Sequence, residues 1–128
     1  MKMVTPLGRA RGLGSARTGA HHWWLERLTS VSTLILFIWF IVALFRLPAY
    51  DHSTIVQWLS QPLAAVPMIL LIASTFWHLK LGLLVVIEDY EHGSLRLLLV
   101  ILVNFLAALG AALAIFSVVK IALTGSAE

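Results

Sequence analysis

The stretch LAAVPMILLIASTFWHLKLGLLVVI, from Leu63 to Ile87, decides the fold of this chain. A run of this length suits a helix that crosses a hydrocarbon layer of about 30 Å, because each helical residue advances about 1.5 Å. Lipid offers no hydrogen-bond partners to the backbone, so such a run has to be helical. His78 and Lys80 interrupt the apolar pattern, and the polar segment Glu88–Glu91 follows it. Insertion into lipid alone does not explain these polar groups.

Two further apolar runs, Leu28–Phe45 and Leu95–Val119, are long enough to span the same layer. The chain of 128 residues is 60% hydrophobic and only 12% charged, whereas a soluble domain is usually about half apolar and a quarter charged. We therefore predict an all-α membrane protein with three transmembrane helices, at about residues 28–46, 63–88 and 95–120. These helices form an anchor domain between a basic tail with an interfacial lead-in segment and a short C-terminal tail: residues 28–120, 1–27 and 121–128.

The connections between the runs are short. The segment Arg46–Pro62 allows a short interfacial helix, whose apolar side chains are Ile55, Val56, Trp58 and Leu59. In the segment between the second and third runs, Gly93 can adopt the left-handed geometry that ends a helix. Ser94 then becomes the predicted N-cap of the third helix.

Lysine and arginine residues near the span ends set the orientation in the membrane, because the cytoplasmic side carries their excess. One side carries Lys2, Arg9, Arg11, Arg17, Arg27 and Arg96, and the other carries only Arg46 and Lys120. We therefore expect a cytoplasmic N-terminus and a C-terminus on the outer, periplasmic side. The expected location is a bacterial inner membrane, with the mitochondrial inner membrane as the alternative.

The N-terminal tail is basic, contains several glycines and has no acidic residue before Glu26. A secretory signal peptide is not expected, because the apolar run behind the tail is too long and no small-residue cleavage site follows. A mitochondrial transit peptide stays open, since such peptides are also arginine-rich and poor in acids. We expect a retained cytoplasmic tail that lies on the membrane surface or on a partner.

His78 lies near the middle of its apolar run, where an ionisable group suggests a function. A neutral imidazole at this depth can form a hydrogen bond between helices, or it can be the axial ligand of a haem iron. The sequence has no second mid-membrane histidine, so a haem held by two histidines would take its other ligand from another chain. Small residues prevail among the positions one turn away, which leaves room for a flat porphyrin; these positions are Ser74, Thr75, Leu81 and Gly82.

Lys80 has three possible interpretations. A lysine at the centre of a bilayer costs about 2.5 kcal/mol or more, so its ammonium needs water or a partner. It can extend to the nearer interface, pair with an acid on a partner helix, or contact a haem propionate. We favour the first.

Asp89 follows His78 by eleven residues, about three helical turns, so both lie on nearly the same face about 16 Å apart along the axis. Tyr90 comes next, at the predicted cytoplasmic boundary. It suits either an aromatic belt or a hydrogen bond from its hydroxyl to a quinone carbonyl, with the Asp89 carboxylate beside it. Glu88 and Glu91 add negative charge where the helix dipole disfavours it. They indicate a solvated helix end, a partner contact or a proton relay.

The segment HLKLGLLVVIEDYEHG carries His78, Gly82, Asp89 and Tyr90 at a spacing that resembles the second helix of a known family. These are the small hydrophobic, SdhD-type anchor subunits of succinate dehydrogenase, respiratory complex II. The tail LGRARGLGSARTGAHHWWLERLT is similar to the segment that precedes the first helix in this family. The resemblance covers most of the chain.

The resemblance implies roles for several residues. His78 would be the axial ligand of haem b, and Tyr90 would form a hydrogen bond to ubiquinone with Asp89 as its support. It implies contacts to the haem propionates from three residues of the lead-in segment: His21, His22 and Arg27. The implied partners are a second membrane anchor (cytochrome b) subunit with the other haem ligand, an iron–sulfur subunit over the quinone pocket, and a flavoprotein subunit.

The chain itself has no flavin motif, no nucleophile constellation and no predicted catalytic residue. It also lacks cysteine, which excludes an iron–sulfur cluster or a disulfide within it. We expect a non-catalytic subunit of a succinate:ubiquinone oxidoreductase that contacts lipid and other subunits, and no nucleic acid. One rival is a haem-free anchor or assembly subunit of another complex, such as fumarate reductase. Another is a transporter component that uses Lys80 and Asp89, although three unrelated spans fit this poorly.

Overall fold

The computed structural model describes residues 5–11 and 18–125, and regular structure in these ranges is entirely helical. The helices in chain order are α1 Pro6–Arg11, α2 Gly19–Phe45, α3 His52–Leu59, α4 Pro62–Tyr90 and α5 Ser94–Thr124. Three of them, α2, α4 and α5, are long and apolar enough to cross a membrane. The prediction of an all-α protein with three transmembrane helices is therefore confirmed.

The long helices extend beyond the apolar runs of the sequence. α2 begins at Gly19, so the residues predicted as an interfacial lead-in segment form its first turns. α4 begins at Pro62, where the missing proline N–H removes no helical hydrogen bond. Helical hydrogen bonds need only backbone groups, so the helices continue past the apolar runs of the sequence. The apolar runs therefore predict the three long helices better than they predict the helix ends.

α4 is the central helix of the bundle. It packs against α2 on one side and α5 on another, while α2 and α5 do not contact each other within the described ranges. The short helix α3 packs against α4 and α5 and brings Trp58 onto Trp39 of α2, with ring centroids 6.1 Å apart. The predicted short helix in this connection is thus confirmed.

Asp51 explains why α3 begins at His52. Its carboxylate accepts hydrogen bonds from the Thr54 N–H and from the hydroxyls of Ser53 and Thr54. These bonds, that from Ser53 first, lower the pKa of the Asp51 carboxyl from 3.8 to about 2. Because the folded pKa lies below the ordinary value, the cap contributes fully above that value and is lost as the pH falls through the folded pKa.

The turn between α4 and α5 depends on Gly93, whose φ of 136° is rarely adopted by residues with a side chain. Gly93 occupies the N-cap position of α5 and Ser94 is the first helical residue. The prediction that Ser94 is the N-cap is therefore wrong by one residue. Arg96 lies 3.7 Å from Glu88 in an exposed ion pair that joins the end of α4 to the start of α5.

Few side chains are buried within the chain. No more than 11% of the most apolar window of any span is buried inside the bundle. The buried apolar residues of the described ranges are Leu59, Ala64, Ala65, Leu71, Leu81 and Val118. Most of the apolar surface of the three spans is thus left for lipid or for other subunits.

Gly110 of α5 packs tightly against Phe76 of α4. A Cβ atom added there would lie 2.6 Å from Cε1 of Phe76. Small residues let membrane helices approach closely, and such close packing stabilises their association. The absence of a side chain at Gly110 therefore permits the observed α4–α5 distance.

We expect Gly110→Ala to lower the free energy of unfolding of the purified chain by about 1–3 kcal/mol, the usual cost of overpacking. Unfolding in mixed detergent micelles measures this change. Gly82→Ala is the matched control, since a Cβ at Gly82 would meet no atom of this chain within 4 Å. Adding Phe76→Leu to Gly110→Ala should recover part of the loss. Equal stability of the two alanine variants would contradict the close contact.

Candidate functional site

Hydroxyl side chains connect α2 to α4 near the middle of the bundle. We call this cluster the polar seam, and its members are Thr29, Ser32, Thr33, Ser74 and His78. Oγ1 of Thr33 and Oγ of Ser74 are 2.6 Å apart, and Oγ1 of Thr29 lies 3.4 Å from Nδ1 of His78. Ser74 also donates over 3.4 Å to the Thr29 carbonyl and to Ser32. The seam is the polar part of an otherwise apolar helix contact.

The spacing of the sequence produces the seam. Thr29 and Thr33 are four residues apart on α2, and Ser74 and His78 are four residues apart on α4. Residues at this spacing lie on one face of a helix, one turn apart. Because Thr29 meets His78 while Thr33 meets Ser74, the two helices run antiparallel with the two pairs in register.

His78 lies at the edge of the α2–α4 contact rather than inside it, and its side chain is exposed in this chain. One turn further, Gly82 has open space around it, because an added Cβ would meet no atom within 4 Å. Thr75 is exposed on the same side, whereas Ser74 and Leu81 pack against other helices. Two of the four residues expected to leave room near His78 therefore border an open face.

The arrangement fits a haem whose iron is held by His78. Nδ1 is occupied by Thr29, Nε2 is left for a ligand bond, and the face beside Gly82 is open to a flat macrocycle. Within the described residues, no group of three or more histidine, cysteine or acidic side chains could hold a metal ion by itself. A macrocycle that brings its own four nitrogens needs only an axial side chain from the protein.

Lys80 lies on the other side of α4. Its Nζ is 3.9 Å from the centroid of the Trp77 ring, a cation–π contact one turn away on the same helix. Both residues line a cavity of about 220 Å³ between α4 and α5, together with Asn104 and several alanines. The side chain thus leans away from the Tyr90 end, which is the nearer end of the helix. The favoured interpretation, extension to that interface, is not what the structure shows.

The lead-in residues separate onto different faces of α2. His22 and Glu26 line a cavity of about 440 Å³ with Glu88 at the Tyr90 end of the bundle. The Arg27 guanidinium lies over the ring of Trp23, with its Cζ 5.4 Å from the centroid. His21, like Arg27, is exposed. Of the three residues expected near the propionates, the structure brings only His22 against the end of α4.

Asp89 and Tyr90 form the end of α4, and both are exposed. Tyr90 is 81% exposed, which makes its hydroxyl accessible to a partner or ligand. Asp89 lies on nearly the same face of α4 as His78. Tyr90 is rotated by about 100° from Asp89 around the helix axis and lies about 18 Å along the axis from His78. No side-chain hydrogen bond in the described part of the chain involves Asp89 or Tyr90, whose backbone N–H groups belong to the hydrogen-bond pattern of α4.

The sequence interpretation missed the hydroxyl residues of α2. The stretch LTSVST, from Leu28 to Thr33, contains four hydroxyl side chains in a membrane span. Their spacing matches that of Ser74 and His78, and this match was the available signal. Sequence alone does not tell which face of α2 meets α4, so the contact between Thr29 and His78 required the structure.

Comparison with known proteins agrees with the motif. The family described as succinate dehydrogenase/fumarate reductase transmembrane subunit matches residues 1–119 of the chain. A succinate dehydrogenase hydrophobic membrane anchor subunit of Rickettsia bellii is 31% identical over 102 residues, which cover 79% of this chain and 82% of the relative. The subunit of the same name from Rickettsia conorii is 34% identical over 98 residues, 75% of this chain and 78% of the relative.

A more distant relative is the hydrophobic membrane anchor subunit of succinate dehydrogenase from Paracoccus denitrificans. It is 27% identical over 96 residues, which cover 75% of this chain and 74% of the relative. No solved structure gives a significant match. The family match covers most of the chain, and the relatives share its SdhD-type character, so the resemblance drawn from the sequence is confirmed. The chain belongs to the family of succinate dehydrogenase/fumarate reductase transmembrane subunits.

Proposed function

We propose that this chain is the hydrophobic membrane anchor subunit of a succinate:ubiquinone oxidoreductase. In this role it holds haem b together with a second anchor, the cytochrome b subunit, and forms part of the site where ubiquinone is reduced. The observation that carries the proposal is the His78 imidazole, which is exposed beside the open face at Gly82 and contacts Thr29 through Nδ1.

His78 would hold the haem iron through Nε2, and the missing side chain of Gly82 would leave space for the edge of the ring. When bound, the haem supplies one-electron storage between the soluble subunits and the quinone. The other histidines of the described ranges lie at or beyond the ends of the spans. A second histidine ligand would therefore have to come from the partner anchor. Contacts of His21, His22 and Arg27 to the haem propionates remain part of the proposal; of the three, His22 lines the cavity beside Glu88 at the end of α4.

Tyr90 donates a hydrogen bond from its phenol to a quinone carbonyl, and Asp89 supports it from the preceding position. Quinone reduction consumes two electrons and two protons. A site at the end of α4 receives these protons from water without a long relay through the bilayer. Support for this role comes from the exposure of Tyr90 and from the absence of a competing hydrogen bond to it within the described residues.

The exposed apolar faces of α2, α4 and α5 provide the surfaces for lipid and for the second anchor. The end of the bundle at Tyr90 receives the iron–sulfur subunit, and the flavoprotein subunit lies beyond it. This end faces the cytoplasm of a bacterial cell, because the lysine and arginine residues concentrate on that side.

A haem-free anchor, as in a fumarate reductase, is the second candidate. The matched family includes subunits of both enzymes, and a histidine that contacts Thr29 can also serve as a link between helices. The two candidates differ in one observable, a b-type absorption band that depends on His78.

His78→Ala should remove or strongly perturb the b-type band in the reduced-minus-oxidised spectrum of the purified complex. The reason is that alanine offers no ligand to the iron. Copurification of the flavoprotein subunit measures assembly separately from haem binding. His52→Ala, at the opposite end of the bundle, is the control and should leave the band intact. An unchanged band in an assembled His78→Ala complex would favour the haem-free anchor.

Tyr90→Phe keeps the ring and removes only the hydroxyl. We expect succinate–ubiquinone activity to fall by about a hundredfold, a usual size for the loss of one positioned proton donor. Activity with a soluble artificial acceptor should stay near that of the wild type. Tyr50→Phe is the matched control, because that hydroxyl donates to the Leu44 carbonyl at the other end of the bundle. An equal loss with both acceptors would count against a quinone role.

The absence of cysteine makes the orientation directly testable. A membrane-impermeant maleimide added to intact cells should label Ala49→Cys and leave His92→Cys unlabelled. In inverted membrane vesicles the pattern should reverse, because the 88–96 connection then faces the reagent. Labelling of His92→Cys in intact cells, with protection of Ala49→Cys, would show the opposite orientation.

A further inference from the structure

We propose that Thr29 is a positioning residue for the haem: its Oγ1 accepts a hydrogen bond from Nδ1–H of His78 and so keeps Nε2 unprotonated for the iron. This inference rests on the proposed function, since it concerns the residue assigned as the iron ligand. It goes beyond that assignment by naming the group that selects the histidine tautomer and tunes the strength of the ligand.

The Thr29 hydroxyl donates its proton to the backbone of its own helix. Oγ1 of Thr29 lies 2.7 Å from the Leu25 carbonyl oxygen and 3.0 Å from that of Glu26. A carbonyl oxygen only accepts hydrogen bonds, so the hydroxyl proton is directed to the backbone of α2. The lone pairs of Oγ1 then remain for another partner.

The imidazole of His78 is left to act as the donor to Thr29. Nδ1 of His78 lies 3.4 Å from the same oxygen, slightly longer than the usual N–H···O distance of about 2.7–3.2 Å. Because the Thr29 proton is already used, the favourable arrangement has Nδ1–H as the donor and Oγ1 as the acceptor. A neutral imidazole carries one proton, so Nε2 then holds a free lone pair. This is the tautomer in which Nε2 would be able to bind an iron.

The hydrogen bond to Thr29 would also affect how strongly His78 binds the iron. A hydrogen bond accepted from the remote N–H of a ligating histidine fixes its orientation and raises its basicity. A more basic ligand stabilises oxidised iron relative to reduced iron. Removing the acceptor at Thr29 should therefore raise the haem midpoint potential and loosen the haem. Changes to such supporting groups typically cost about 10–100-fold in affinity for the metal group.

Thr33 offers a matched control within the same polar seam. Its Oγ1 bonds to Ser74 at 2.6 Å, and it lies one helical turn from Thr29 on the same face of α2. Thr33→Val thus removes a hydroxyl from the α2–α4 contact without touching His78. Any effect that comes only from weaker helix packing should appear equally in Thr29→Val and Thr33→Val.

The test is a redox titration of the haem, with electron paramagnetic resonance spectra, on the assembled complex with wild-type chain, Thr29→Val, Thr29→Ser and Thr33→Val. We expect Thr29→Val to shift the midpoint potential upward, change the low-spin signal and lower haem retention about tenfold or more. Thr29→Ser, which keeps the hydroxyl, should restore the wild-type values, and Thr33→Val should shift the potential and the spectrum far less than Thr29→Val does. Thr29→Ala, which adds no volume, replaces Thr29→Val if the valine variant does not assemble.

Two results would overturn the inference: an unchanged potential and spectrum in Thr29→Val or Thr29→Ala, or equal shifts in the Thr29 and Thr33 variants. A wild-type complex without haem would not test the role of Thr29. A wild-type complex that contains no b-type haem contradicts the proposed function itself, before any Thr29 variant is compared.

Discussion

A hydroxyl group inside a membrane span has only protein groups as hydrogen-bond partners, and the polar seam between α2 and α4 follows from this constraint. Thr33 meets Ser74 and Thr29 meets His78 on antiparallel helices. Individual hydrogen bonds of this kind average about 0.6 kcal/mol in a bilayer, so their main effect is to fix register rather than to add stability. The register in turn puts His78 at the edge of the contact, with one ring nitrogen occupied and the other free.

Under the proposed function the bundle supplies only part of each binding site, and its packing explains why. α4 contacts both other spans, yet the face near Gly82 is open and the long helices bury little of their apolar surface. One face with a single histidine provides half of a site for a ligand held from two sides. The same reasoning applies to Tyr90, whose exposed hydroxyl at the end of α4 needs another subunit to enclose a ligand. Membership in a family of anchor subunits agrees with this, since an anchor acts within a complex.

Much of the fold follows from the sequence, because lipid forces long apolar runs into helices and their lengths match the bilayer. The short helix α3 was also predictable, and Asp51 supplies the cap that starts it. Less of the candidate site could be predicted from the sequence. The spacing from His78 to Tyr90 is written in the sequence, but the contact with Thr29 depends on which faces of two helices meet. The cation–π contacts of Lys80 with Trp77 and of Arg27 with Trp23 likewise depend on side-chain conformations, which the spacing of residues in the sequence does not determine.

The central hypothesis is that the imidazole of His78 is an iron ligand and that the Thr29 hydroxyl oxygen accepts a hydrogen bond from its Nδ1–H. A density map of the assembled complex tests it most directly. We expect a macrocycle against the open face at Gly82, Nε2 of His78 bonded to the iron, and Nδ1 within hydrogen-bond distance of the Thr29 hydroxyl. An imidazole that faces lipid or another side chain, with no macrocycle beside it, would contradict the claim and leave a haem-free anchor of three helices.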